Sequence, residues 1–201
     1  MKLLAGVLLV LMCAVCASGA PLYRAGQSAT ATRWLHGEIS GGYVFTDHSL
    51  QDYLGQFSSS SLRGWTARAL WTPLPWLSAG AEYARLAEVS LKPALVDEYT
   101  LSRTGAVVKF TLSPNTNPRF YILGGLGKSA HRLTFTTTTP SYKKSQNYWK
   151  VALGTEADIY KKLFVAAEGE LLWDNTADVH TLYKLSSRRE MALYLRAGVR
   201  L

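Results

Sequence analysis

From Trp34 to Leu201, apolar and polar residues alternate with period two in eight successive stretches, and no helical domain interrupts them. The pattern predicts strands over about Trp34 to Thr46, Leu62 to Thr72, Leu77 to Leu86 and Tyr99 to Phe110. Four more follow over about Arg119 to Leu133, Tyr148 to Ile159, Leu163 to Trp173 and Glu190 to Leu201. The connections alternate in length. Those near 47–61, 87–98, 134–147 and 174–189 are long, whereas Pro73 to Trp76, Ser113 to Pro118 and Tyr160 to Lys162 are short turns. A meander that crosses a bilayer repeatedly has this form, with short turns on one side and long loops on the other. With eight strands both termini fall on the short-turn side, which in a two-membrane cell is the periplasm, and the long loops are extracellular. In the first long loop, Leu50, Tyr53, Leu54 and Phe57 behind Ser49 and Asp52 have the spacing of a short capped helix.

The charges decide which face of the strands is inside. In the sixth segment, Trp149, Val151, Leu153, Ala157 and Ile159 alternate with Lys150, Ala152, Gly154, Glu156 and Asp158. The seventh sets Val165, Ala167, Leu171 and Trp173 against Glu168 and Glu170, and the last sets Leu193, Leu195, Ala197 and Val199 against Tyr194, Arg196, Gly198 and Arg200. Glu38, Arg68, Glu82 and Lys109 hold the equivalent positions in earlier segments. A soluble barrel would bury the apolar face and wet the charged one. The charged face also carries Gly42, Gly64, Gly80, Gly154 and Gly198, which fit a crowded interior better than open water. The expected fold is therefore an all-β, eight-stranded antiparallel up-and-down transmembrane barrel, whose lumen is narrow enough for side chains to fill. The charged set Glu38, Arg68, Glu82, Lys109, Lys150, Glu156, Asp158, Glu168, Glu170, Arg196 and Arg200 is then an internal ion-pair network.

Aromatic residues fall into two groups on this scheme. Tyr43, Phe45, Trp65, Tyr83, Trp149 and Trp173 lie toward the long-loop rim, and Trp71, Trp76, Phe110, Tyr121 and Tyr160 toward the short-turn rim, as two interfacial belts require. The run Phe120 to Leu123 is apolar on both parities and leaves the fifth register open.

Composition sharpens the scheme. The chain has 201 residues, 48% apolar and 18% charged, which suits one domain. No apolar run reaches the ~18 residues of a membrane helix. The mean hydropathy of +0.01 is an average over alternating residues, so it does not argue against the membrane. Met1 and Lys2, the apolar run Leu3 to Val15 and the small residues Ala17 to Ala20 read as a signal peptide over 1–20. A polar lead-in over 21–33 and the barrel over 34–201 follow. Both cysteines, Cys13 and Cys16, leave with the signal, so the exported chain has no disulfide. The net charge of +8 invites a nucleic-acid reading, but the bases are scattered and many face acids, so none is expected.

The chain resembles the eight-stranded outer-membrane barrels of the OmpA, OmpX and opacity-protein type over about 34–201. The likeness lies in Tyr121 to Gly127, in Glu168-Gly169-Glu170, and in the closing Tyr194 to Leu201. The resemblance implies an integral outer-membrane protein, assembled by the barrel-assembly machinery, whose outer loops carry any binding to a surface ligand. No cofactor and no enzymatic activity are expected. Arg63, Arg85, Lys143, Lys144, Lys184, Arg188 and Arg189 lie at or above the outer rim, where they can meet lipopolysaccharide phosphates. Two alternatives stand beside this structural or surface-interaction role. A lipid A-modifying enzyme needs a nucleophile and base at the outer rim facing lipid, for which Ser129 and His131 are candidates. A small channel needs a continuous water path through the lumen. No metal-ligand spacing, phosphate loop or nucleotide motif is present in the sequence.

Overall fold

The structure, a computed structural model, describes residues 36–47, 50–52, 61–87, 96–135, 141–175, 178–180, 183–185 and 187–201. The signal peptide, the lead-in, the helix positions Tyr53, Leu54 and Phe57, and residues 136–140 lie outside them.

The described residues form ten strands: β1 (His36–Thr46), β2 (Leu50–Asp52), β3 (Leu62–Leu74), β4 (Leu77–Ala87), β5 (Val96–Thr111), β6 (Arg119–Phe135), β7 (Tyr142–Tyr160), β8 (Leu163–Asp174), β9 (Tyr183–Leu185) and β10 (Arg189–Arg200). Eight of them close a barrel in the order β1, β10, β8, β7, β6, β5, β4, β3. Every pairing is antiparallel, and the ends meet where Tyr43 of β1 lies between Leu195 of β10 and Trp65 of β3. The alternation thus marked the barrel strands to within a few residues, except that β7 starts at Tyr142, well before the expected Tyr148. Its first residues pair with Ala130 to Leu133 of β6, so this hairpin stands above β8, whose pairing starts at Tyr148.

Leu50 to Asp52 is extended, where the apolar spacing predicts the start of a helix. The segment forms β2 and pairs with Tyr183 to Leu185 of β9, a two-stranded sheet that ties the first long loop to the last. A short isolated helix has a costly nucleus, and the neighbouring loop supplies a ladder partner instead.

Side-chain parity sorts lumen from wall. Val44, Leu70, Tyr121, Leu123, Phe164 and Leu172 are buried inside, whereas Ile39, Trp65, Leu126, Leu153 and Val165 stand exposed outside. The fifth register is settled with Tyr121 and Leu123 inward and Phe120 and Ile122 outward. Tyr121 is therefore not part of the inner aromatic belt; its hydroxyl donates to Glu168 at 2.9 Å within the lumen. Trp71, Trp76, Phe110 and Tyr160 remain exposed at the short-turn end. At the other end Trp149 stacks on Trp173 with ring centroids 4.0 Å apart, and Trp65 lies 5.2 Å from Tyr83. A continuous apolar outer wall bounded by aromatic girdles is the surface a bilayer covers. No helix among the described residues is long and apolar enough to cross a membrane.

The long-loop end of the lumen is apolar. Leu62, Leu86, Tyr99, Leu101 and Leu133 meet Val179 and Leu185 of the last loop and cap the charged interior.

Candidate functional site

Inward-pointing charges stack in three levels between this cap and the short turns. Nearest the turns, the Lys109 ammonium donates to Glu38 at 2.8 Å and to Glu156 at 2.9 Å. Arg200 donates to Glu156 at 2.9 Å and also contacts Asp158, which Arg119 reaches from β6. A small polar cavity of ≈ 150 Å³ opens here, bordered by His36, Glu38, Lys109, Arg119 and Arg200.

The middle level centres on Glu82, which is held by Arg68, Lys150 and Arg196. Arg68 binds Glu168 through both terminal nitrogens at 2.8 Å while its Nε donates to Glu82 at 2.7 Å. Lys150 bridges Glu82 to Glu170. Neutral hydroxyls complete the level: that of Tyr194 donates to Glu170 at 2.9 Å, and that of Thr66 accepts from Arg196 at 2.8 Å. Glu82, Glu168, Glu170, Arg68, Lys150 and Arg196 are all at least nine-tenths buried, with three charges of each sign.

The uppermost level was not singled out from the sequence. Arg103 grips Glu190 with two parallel bonds of 2.9 and 2.6 Å, the fork geometry that makes Arg–carboxylate pairs strong, and Thr46 also donates to Glu190. Above it, His131 pairs its Nδ1 with the Tyr99 hydroxyl at 2.7 Å and its Nε2 with Gln146 at 2.8 Å, while Ser129 donates to Asp174 at 3.1 Å. Arg103 shares the parity of Lys109, and Glu190 that of Tyr194, so the alternation contained the signal for both. Arg119 went unassigned because the register of β6 was open.

The enzyme alternative needs correction at its candidate residues. Ser129 and His131 share a face as expected, but that face is the lumen: they are 0% and 1% exposed. Parity with Tyr121 and Leu123 turns both inward, beneath the apolar cap, so neither faces lipid.

The basic residues expected at the outer rim occupy several settings. Arg63 of β3, Arg85 of β4 and Lys143 of β7 point outward and are exposed at the long-loop end, as is Arg188 just before β10. Arg189 opens β10 with its guanidinium 5.7 Å from the Trp173 ring. Lys144 takes the inward parity beside His131 and is half-exposed, and Lys184 lies in β9. Two further bases join the outer wall: exposed Lys128, and exposed Arg132 directly across from Lys143. Like charges directly opposite on a sheet are unfavourable. Among the described residues no carboxylate pairs with Arg63, Arg85, Lys128, Arg132 or Lys143.

A closed eight-stranded barrel, apolar outside and charged inside, is the fold of the small outer-membrane barrels. Solved structures with this fold include Neisserial surface protein A, at 14% identity over 81% of this chain and 96% of that chain, with a TM-score of 0.61. The attachment invasion locus protein Ail of Yersinia pestis, in complex with the heparin analogue sucrose octasulfate, matches at 16% identity over 83% and 99%, TM-score 0.56. The outer membrane protein OprG of Pseudomonas aeruginosa matches at 9% over 83% and 96%, TM-score 0.53. No protein-family model and no curated protein matches the sequence.

Proposed function

We propose that this chain is an exported outer-membrane barrel with a structural, non-conducting lumen, acting at the cell surface through the basic rim at its long-loop end. Residues 1–20 serve as the signal peptide, the termini lie in the periplasm, and the long loops are extracellular. The observation that carries the reading is the contrast between the two sets of charges. Inside, among the described residues, Glu38, Glu82, Glu156, Asp158, Glu168, Glu170 and Glu190 form ion pairs with Arg68, Arg103, Lys109, Arg119, Lys150, Arg196 and Arg200. Outside, Arg63, Arg85, Lys128, Arg132 and Lys143 face outward without carboxylate partners among the described residues, beside the aromatic girdle. Bases at that depth meet the phosphates of lipopolysaccharide, and those above it meet anionic surface polymers. The sucrose octasulfate bound by Ail, which shares the fold, supports an anionic ligand of this class.

The test reverses Arg63, Arg85, Lys128, Arg132 and Lys143 to Glu and measures sensitivity to lipopolysaccharide-binding antibiotics and adhesion to sulfated polysaccharide. Both change if the rim does this work. Unchanged sensitivity and unchanged adhesion refute it.

A further inference from the structure

The apolar outer wall is not uniformly bulky. On four adjacent strands, small residues meet across the ladder: Ala157 of β7 opposes Val165 of β8, Val165 opposes Ala197 of β10, and Ala197 opposes Gly41 of β1. One row toward the long loops, Thr155 opposes Ala167. Larger side chains, Phe120, Leu153, Leu195 and Leu112, stand around this floor, and the result is a groove of ≈ 730 Å³ in the face that lipid covers.

The groove lies in the short-turn half of the wall. From Ala157 to Lys161 the chain advances four residues, about 13 Å along the strand and about 10 Å in depth at the usual barrel tilt. Two of the strands that floor the groove, β7 and β8, are joined by Lys161 and Lys162, both exposed. This turn is held in place. Lys161 has φ 40° and sets its ammonium 5.3 Å from the Tyr160 ring, while the Lys162 carbonyl accepts the Arg200 amide at 2.9 Å. The nearby carboxylates, Glu38, Glu156 and Asp158, are engaged by lumen bases. Among the described residues neither Lys161 nor Lys162 has a carboxylate partner.

A fixed pair of unmatched cations about one headgroup depth from a narrow apolar groove is complementary to one kind of molecule. We propose that the groove seats an acyl chain of an anionic glycerophospholipid, with its phosphate at Lys161 and Lys162. The inference rests on the membrane-barrel reading above and on its orientation, which puts this groove in the phospholipid leaflet rather than the lipopolysaccharide leaflet. A second copy of the barrel fits less well: meeting this face about a two-fold axis, it would bring two Lys161–Lys162 turns together in one plane.

The experiment is native mass spectrometry of the refolded barrel in detergent, titrated in turn with phosphatidylglycerol, phosphatidylcholine and lipid A. The expected result is one retained phosphatidylglycerol, favoured over phosphatidylcholine by about tenfold. Lys161→Asn with Lys162→Glu should abolish that preference, Asn being tolerated at positive φ. Ala167→Leu with Ala197→Leu should fill the groove and reduce retention of either phospholipid. Equal retention of the two phospholipids, preferential retention of lipid A, or a preference that survives the lysine substitutions overturns the proposal, as does a dimer that groove filling dissociates. Heat-modifiable electrophoretic mobility is read on every sample. Its loss in a variant disqualifies that variant, leaving the wild-type lipid preference to decide, whereas its absence in the wild type defeats the membrane-barrel reading itself.

Discussion

Glu82 is the carboxylate on which the middle of the lumen turns. It touches Arg68, Lys150 and Arg196, and the level it belongs to is neutral, with three acids against three bases. Replacing Glu82 by Gln keeps the shape and leaves one uncompensated positive charge in a site that is nearly dry. Removing one partner of a buried pair costs about 3–5 kcal/mol, so Glu82→Gln should lower the unfolding free energy by that amount. Lys150→Met in the same chain removes the excess charge. The level is then neutral again, with Arg68 and Arg196 against Glu168, while Glu170 loses Lys150 and keeps the Tyr194 hydroxyl at 2.9 Å, so the recovery is incomplete. The double variant should therefore recover part of the loss, with a coupling energy of about 2 kcal/mol. The assay is urea unfolding in lipid vesicles, followed by tryptophan fluorescence and electrophoretic mobility in a double-mutant cycle. A single-variant loss below about 1 kcal/mol, the range of exposed ion pairs, or additive single effects would refute the reasoning.

Gly154 faces the Tyr121 ring so closely that an added Cβ would overlap Cζ and lie 2.7 Å from Cε2. Gly154→Val should cost about 1–3 kcal/mol by overpacking, partly recovered by Tyr121→Leu in the same unfolding assay. Ser129→Ala and His131→Ala should each cost about 1 kcal/mol by removing buried hydrogen bonds while lipid A, analysed by mass spectrometry, stays unchanged; altered lipid A would contradict their inward placement. In planar bilayers the wild-type protein should give no stepwise conductance, since an eight-stranded lumen is filled by side chains. Regular current steps would show a water path.

The barrel was legible because period-two alternation survives in most of its strands. Glu168 and Glu170 beside Leu171 and Trp173 announce which face meets lipid without any knowledge of neighbours. The pairing of the charges was not legible. Glu82 on β4 reaches Lys150 on β7 across the lumen, and no local pattern encodes contact between strands that are not adjacent. Tyr121 was misplaced because Phe120 to Leu123 is apolar on both parities, and the faces separate only in the closed barrel, where Tyr121 is buried and bonds Glu168. The sheet of β2 and β9 escaped for a similar reason, since Leu50 and Leu185 lie in loops far apart in sequence. The wall groove exists only once Gly41, Ala157, Ala167 and Ala197 are brought together by barrel closure.

The central claim is that the apolar face of these strands meets lipid and the charged face fills the lumen. Single cysteines along β7, at 149 through 153 in a chain with Cys13 and Cys16 removed, test it directly when labelled with a fluorophore and exposed to lipid-borne nitroxide quenchers in vesicles. Quenching should alternate, strong at 149, 151 and 153 and weak at 150 and 152. Quenching of the opposite phase, or none at any position, would contradict the account.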